Sequence, residues 1–144
     1  MTPDLVRRLA HTILIEGRRH FDAMLGIVSR IQDDRYEIFA VSSDTGIPEI
    51  GDCYPLAAVY CREVVEKQRT VAITEIDGFP GLCRHPLYDA IPCESYLSSP
   101  IFVDGKVWGT LNYTSLEARG QAFSADEIAE NEAQASRIAL ALTP

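Results

Sequence analysis

Basic side chains are in short supply: 13 Lys and Arg stand against 21 Asp and Glu, a formal net charge of −8. A general phosphate-backbone binder needs clustered Lys and Arg. Here the pairs Arg7-Arg8 and Arg18-Arg19 fit the solvated face of a helix, which argues against nucleic acid as a partner. Long hydrophobic runs are missing, so nothing reaches bilayer-spanning length. The start Met1-Thr2-Pro3-Asp4 lacks the charged-then-apolar plan of a secretory signal. These absences predict a soluble, cytoplasmic protein with no membrane partner. The cysteines, at 53, 61, 83 and 93, form no C-x-x-C pair, so zinc-ribbon spacing is absent. In a reducing compartment they default to small apolar side chains. Cys61, Cys83, His85 and Cys93 are too irregularly spaced to be read as a metal site. There is no Gly-rich phosphate loop. Ser98, Ser99, Asp104 and His85 make no elbow or triad spacing, so no catalytic residue is assigned and the chain is read as a non-enzyme.

What is present is an ordinary globular composition, 47% hydrophobic over 144 residues, enough for one domain with a real core. Thr2, Pro3 and Asp4 make a helix start. Leu5, Leu9 and Ile13 recur at i+4, giving an amphipathic helix over 2–19 whose end Gly17 weakens. Strands over 24–31 and 36–42 flank the polar turn 32–35 as a hairpin. Pro55 opens a second helix with Leu56, Tyr60 and Val64 on one face, and 70–76 is a short strand. Residues 77–93 hold three prolines and two glycines and form a long loop, a length that is often functional. Strands over 95–103 and 106–115 are joined at Asp104-Gly105, a strong hairpin signal. Ser124-Ala125-Asp126-Glu127 is a capping box that starts a helix over 124–142.

The order helix, hairpin, helix, strand, loop, hairpin, helix predicts an α/β (α+β) domain with a central antiparallel sheet. The terminal helices share one face, and the Pro55 helix and 77–93 loop cover the other. Strand alternation puts Trp108, Thr110 and Asn112 on one face of their strand and Tyr96 and Ser98 on one face of theirs. If Val107, Leu111, Tyr113, Leu97 and Ile101 pack on the terminal helices, the mixed aromatic and polar set looks into a space under the loop. That is the usual make-up of a small-molecule site. The loop adds Cys83, Arg84, His85 and Tyr88. Arg84 suits an anionic group, and His85 titrates near neutral pH. On the last helix Ile128, Ala135, Ile138 and Leu142 form a stripe with Asn131 in register, like a helical seam. One apolar strip suffices to cover the sheet, so part of the other is expected to bury against a second copy.

Four segments act together: Pro55-Leu56 with Tyr60-Cys61; Tyr96-Leu97-Ser98-Ser99-Pro100-Ile101; Val103-Asp104-Gly105-Lys106-Val107-Trp108-Gly109-Thr110-Leu111-Asn112; and Arg119 with Phe123-Ser124-Ala125-Asp126. As a set they resemble the GAF domain of bacterial sensors over roughly residues 20–142. The resemblance implies a single sensory domain over 1–144, with its core over 20–123. It also implies a ligand pocket on the sheet face away from the terminal helices and a homodimer through those helices. Such domains commonly precede a histidine kinase, a diguanylate cyclase or another output module. The ligand set it implies adds Tyr60 and Cys61 to the residues above. The chain departs from the family where Ser98 replaces a usual Gly. Tyr113 follows Asn112 where cyclic-nucleotide-binding members carry Lys, and Arg84 separates Cys83 from His85 where bilin-binding members have a Cys-His pair. Bilin and cyclic nucleotides are therefore not the expected cofactors. One alternative is a thiol enzyme or redox sensor like the free methionine sulfoxide reductases, using Cys61, Cys83 and Cys93. A ligand-free dimerisation relay is the other.

Overall fold

The computed structural model describes residues 2–56, 61–74 and 94–143, with the side chains of 61–63 outside the description. The first helix, α1 (Pro3–Phe21), starts as the sequence predicts: the Thr2 hydroxyl accepts from the Leu5 amide at 3.3 Å. It runs to Phe21, two residues further than expected, and is capped by Asp22, which is left-handed with φ 52° and donates its N–H to the Arg18 carbonyl. The helix thus continues past Gly17. Gly17 is buried in the helix, and a Cβ there would lie 1.9 Å from the Tyr113 hydroxyl oxygen. The missing side chain is what lets α1 approach the sheet.

Among the described residues six strands follow: β1 (Leu25–Gln32), β2 (Arg35–Ser43), β3 (Cys53–Pro55), β4 (Val71–Ile73), β5 (Ser95–Val103) and β6 (Lys106–Ser115). They form one sheet in the order β3-β2-β1-β6-β5-β4 with antiparallel pairing throughout. Both tight hairpins turn through two residues of positive φ, Asp33 and Asp34 (54° and 60°), and Asp104 and Gly105 (53° and 76°). That geometry matches the right-handed twist of the strands it joins. Pro55 precedes a 3-10 turn at Leu56, and residues 57–60, over which the predicted helix would run, lie outside the described residues. Pro55 itself ends the edge strand β3, opposite Arg35, a position where a missing N–H is tolerated. The second described helix, α2, is Cys61–Lys67. The predicted 70–76 strand is observed as Val71–Ile73, and the 77–93 loop lies outside the described residues.

The sheet buries both faces. On one, α1 and α3 (Ala125–Leu142) bring Val6, Ala10, Ile13, Leu14, Ala135 and Ile138 onto Val28, Phe39, Ala40, Ile101, Leu111 and Tyr113. Each fully buried aliphatic of this set contributes roughly 1.5–3 kcal/mol of transfer free energy. On the other face Leu25, Ile27, Tyr36, Ile38, Ile73 and Tyr96 form a second cluster, with Leu56 packed against it. α2 belongs to the layer on that side and lies against β5 and β6. Among the described residues no helix is long and apolar enough to cross a membrane.

The start of α3 is fixed by charge as well as capping. Ser124 and Glu127 exchange capping-box hydrogen bonds. The Arg119 guanidinium grips both Glu127 oxygens at 2.8 and 2.9 Å and stacks over Phe123 at 4.0 Å. The Arg119 hydrogen bond, helped by those from Ser124, holds the Glu127 carboxyl below its ordinary pKa against the opposing effect of burial. The helical-seam expectation is corrected. Asn131, Ala135 and Ile138 are buried within the chain. Asn131 donates to Ser99 Oγ at 2.8 Å and to the Leu111 carbonyl at 3.3 Å. This stripe covers the sheet and is not left over for a partner.

Two outcomes follow. Ile138→Glu unfolds the domain, read as a lost cooperative transition in circular dichroism, instead of leaving a folded monomer, because it buries a charge with no counter-ion. For Glu127, a folded pKa below the unfolded one means stability that is present above the unfolded pKa and lost as pH falls through the folded one. The stability gap between wild type and Glu127→Gln is therefore widest near neutral pH and closes in the acid range below the usual carboxylate pKa. Denaturant titration at several pH values checks it.

Candidate functional site

The face of the sheet away from α1 and α3 carries the candidate site. Opposed residues in an antiparallel ladder share a face, and the register places Tyr96 opposite Thr114, Ser98 opposite Asn112, and Pro100 opposite Thr110. β1 adds Ser29 beside Thr110, and β2 adds Tyr36. The result is a floor of hydroxyls and one amide, all at most 2% exposed: Ser29, Tyr36, Tyr96, Ser98, Thr110, Asn112 and Thr114. None of them is a charged group. Ser29 and Thr110 are locked together, Oγ to Oγ1 at 2.6 Å, with the Thr110 amide donating to Ser29 Oγ at 3.1 Å. Asn112 Nδ2 approaches the Tyr36 hydroxyl at 3.5 Å. Tyr54 tilts toward Tyr36 at 6.5 Å between ring centres. Its phenol pKa is pushed up by burial and then by Asp52. The Thr114 hydroxyl is buried and finds no hydrogen-bond partner among the described residues.

Of the residues chosen from sequence, Tyr96, Ser98, Thr110 and Asn112 lie on this floor. Trp108 does not. It packs into the terminal-helix cluster, with Phe39 edge-on at 5.2 Å and the Arg30 guanidinium over it at 5.7 Å. The reason is a β-bulge. Ile101 pairs with Gly109 and Phe102 with Val107, so Trp108 is the unpaired extra residue of β6, and a bulge resets the alternation of side chains. Phe39 is the matching extra residue of β2, between Ile38, paired with Ser29, and Ala40, paired with Val28. Tyr60, Cys83, Arg84, His85, Tyr88 and the side chain of Cys61 lie outside the described residues. Sequence reasoning missed Ser29, Tyr36 and Thr114. The signal for Ser29 was present, a polar residue in register with Leu25, Ile27 and Ile31.

Other features of the surface are less suited to recognition. A cleft of about 270 Å³ lies where α1 ends, between Phe21, Tyr113, Phe123 and Arg119. Its Arg119 is already engaged by Glu127, and its Ser115 hydroxyl by the Asp22 carbonyl. Among the described residues no three His, Cys, Asp or Glu side chains are grouped as metal ligands would be. Cys53 is exposed at the start of β3.

A family profile described as GAF domain matches residues 5–143. Comparison with the curated proteins gives no match. Among solved structures the chain is similar to the GAF domain of PixJ from Thermosynechococcus elongatus in its blue-light absorbing form. Identity is 24%, coverage is 95% of this chain and 84% of that one, and the TM-score is 0.77. It is also similar to a type II free methionine-R-sulfoxide reductase from Thermoplasma acidophilum, at 14% identity, 96% and 92% coverage and TM-score 0.78. A third is the GAF domain of a phosphoenolpyruvate-protein phosphotransferase from Coxiella burnetii, at 15% identity, 95% and 82% coverage and TM-score 0.77. At these identities the likeness is one of fold.

Thr114→Val replaces an unpartnered buried hydroxyl with a methyl of the same shape. A buried polar group without a partner costs about 1–3 kcal/mol, so the variant is as stable as wild type or more stable by up to about that amount. A loss of more than about 1 kcal/mol in denaturant unfolding would show that the hydroxyl is bonded in the folded protein.

Proposed function

Since the chain belongs to the GAF domain family, we propose that it is a non-catalytic sensory domain which binds a small molecule over this floor and relays the event to a fused or partner output module, such as a histidine kinase or a diguanylate cyclase. The observation that supports the reading is the seven-residue set of buried hydroxyl and amide groups on one face of the sheet, with aromatic rings beside them. A face meant only as a second core would need far fewer polar groups, because each must be matched by a hydrogen bond. The floor carries hydrogen-bonding capacity and no charge. The loop residues Arg84 and His85 supply the charged contacts in this reading, with Tyr60, Cys61, Cys83 and Tyr88 completing the ligand's surroundings. A ligand that prefers one of two conformations shifts their populations by its differential affinity.

The relay is proposed to act through a homodimer of terminal helices. Leu5 and Ile15 on α1 and Leu140 on α3 are 49%, 39% and 75% exposed, and they replace the buried 131, 135, 138 stripe as the apolar contacts. A thiol-based redox role is the second reading, prompted by the fold likeness to a free methionine-R-sulfoxide reductase. It would use Cys83 and Cys93 as nucleophile and resolving thiol.

The test is native mass spectrometry with a thermal-shift panel of cyclic nucleotides, amino acids and nitrate on the purified domain. A true ligand at a hundred times its Kd stabilises the fold by about 2.7 kcal/mol, and Asn112→Leu abolishes that shift while the domain stays folded. No shift with any compound favours the ligand-free dimerisation relay. Rapid alkylation of Cys83 at neutral pH, with the other cysteines slow, favours the thiol reading.

A further inference from the structure

The edge strand β4 touches the candidate site with its side chains and holds α3 with its two ends. Its inward residues are Val71, opposite Ser98, and Ile73, opposite Tyr96. Both pack in the cluster on the site face, where Ile73 is buried. The residue before the strand, Thr70, reaches the other layer. Its hydroxyl donates to Glu132 Oε2 at 2.6 Å and lies 2.7 Å from Ser99 Oγ. One proton per hydroxyl fixes the direction of the chain. Thr70 spends its proton on Glu132, so Ser99 donates to Thr70 and accepts from Asn131 Nδ2 at 2.8 Å. Two adjacent residues of α3, Asn131 and Glu132, thus close a loop through β5 and the entry to β4. The residue after the strand, Thr74, gives a second tie. Its carbonyl accepts from the Arg119 amide at 2.9 Å, and Arg119 grips Glu127 in the first turn of α3.

Two further facts together set β4 apart from the other strands. It is three residues long and, among the described residues, pairs with β5 alone, so little of the described backbone pairing fixes its position. It is also joined closely to α2: Gln68 turns in the left-handed region at φ 53° and donates to the Val64 carbonyl, two residues before Thr70.

We propose that β4 is the coupling element of this domain. Displacement of Val71 and Ile73 by an occupant of the site is passed through Thr70 and Thr74 to the seating of α3. The proposal rests on the sensory reading, but it is tested without a ligand, so the two can fail separately.

The experiment is a double-mutant cycle read by amide hydrogen exchange on the full chain. Ile73→Val removes one methylene from the site side of β4, and Thr70→Val removes the hydroxyl that holds α3 while keeping its shape. Ile73→Val should speed exchange of the α3 amides by about threefold or more, the scale of a coupled pair, with α1 and β1 unchanged. In the Thr70→Val background the same change should have less than about a twofold effect on α3. Thr70→Ser, which keeps the hydroxyl, should restore the coupling. An equal effect of Ile73→Val in both backgrounds, no effect on α3, or a rise shared equally by α1 overturns the proposal.

Discussion

The pairing of β1 with β6 in the middle of the sheet is the interaction on which the rest of the structure depends. It joins segments 81 residues apart at Ser29 and Thr110, and both layers are built on the ladder it completes. α1 lies on β1 and β2, and α3 on β5 and β6, so without this pairing neither helix has a continuous surface to cover. The close approach has a steric condition. A Cβ on Gly109 would lie 1.8 Å from the Ser29 carbonyl oxygen, so the backbones meet there because no side chain intervenes. Closing a loop of this length costs only slightly more than closing one half as long. The burial of apolar side chains on both faces offsets it.

The two bulges decide what each face is made of. Without them, strict alternation would put Trp108 over the site and one of Phe39 and Ala40 on each face. With them, Phe39 and Trp108 meet on the helix side, where Arg7 stacks on Phe39 at 4.5 Å and donates to its carbonyl at 2.8 Å. The large ring removed from the site face leaves it with small hydroxyls around Thr110. The polar character of the candidate site is thus partly a consequence of where the extra residues fall in β2 and β6.

That is also the limit of what could be read from the residues in order. The period-two pattern, the Asp-Gly turn and the Ser124–Glu127 box are local signals, and they returned β5, β6 and the start of α3 at their observed positions. Tyr96, Ser98, Thr110 and Asn112 follow from alternation once the strand is right. Trp108 does not, because a bulge is set by how two strands meet and leaves no mark in one of them. Gly17 looked like a helix weakener because its partner, Tyr113, is 96 positions away. Asn131 looked like a register device for a second copy because Ser99 was not visible as its partner. Pro55 also ends an edge strand, opposite Arg35, and that pairing could not be read without the neighbouring strand.

Asn131 still sets a register, within the chain. α3 is rich in alanine, and small side chains at 129, 133, 135, 139 and 141 give it a smooth surface that could slide along the sheet at little cost in packing. Its buried polar residues remove that freedom. Asn131 is tied to Ser99 and the Leu111 carbonyl. Three residues on, Gln134 accepts from the Tyr113 hydroxyl at 2.8 Å. The Tyr113 phenol pKa is pushed well up by burial, then by Glu130 and Glu16, so it stays a donor across the working pH range. Shifting α3 by one residue would break both pairs, at about 1–3 kcal/mol for each buried polar group left unmet. The helix face of the sheet therefore uses its few polar groups to choose one seating.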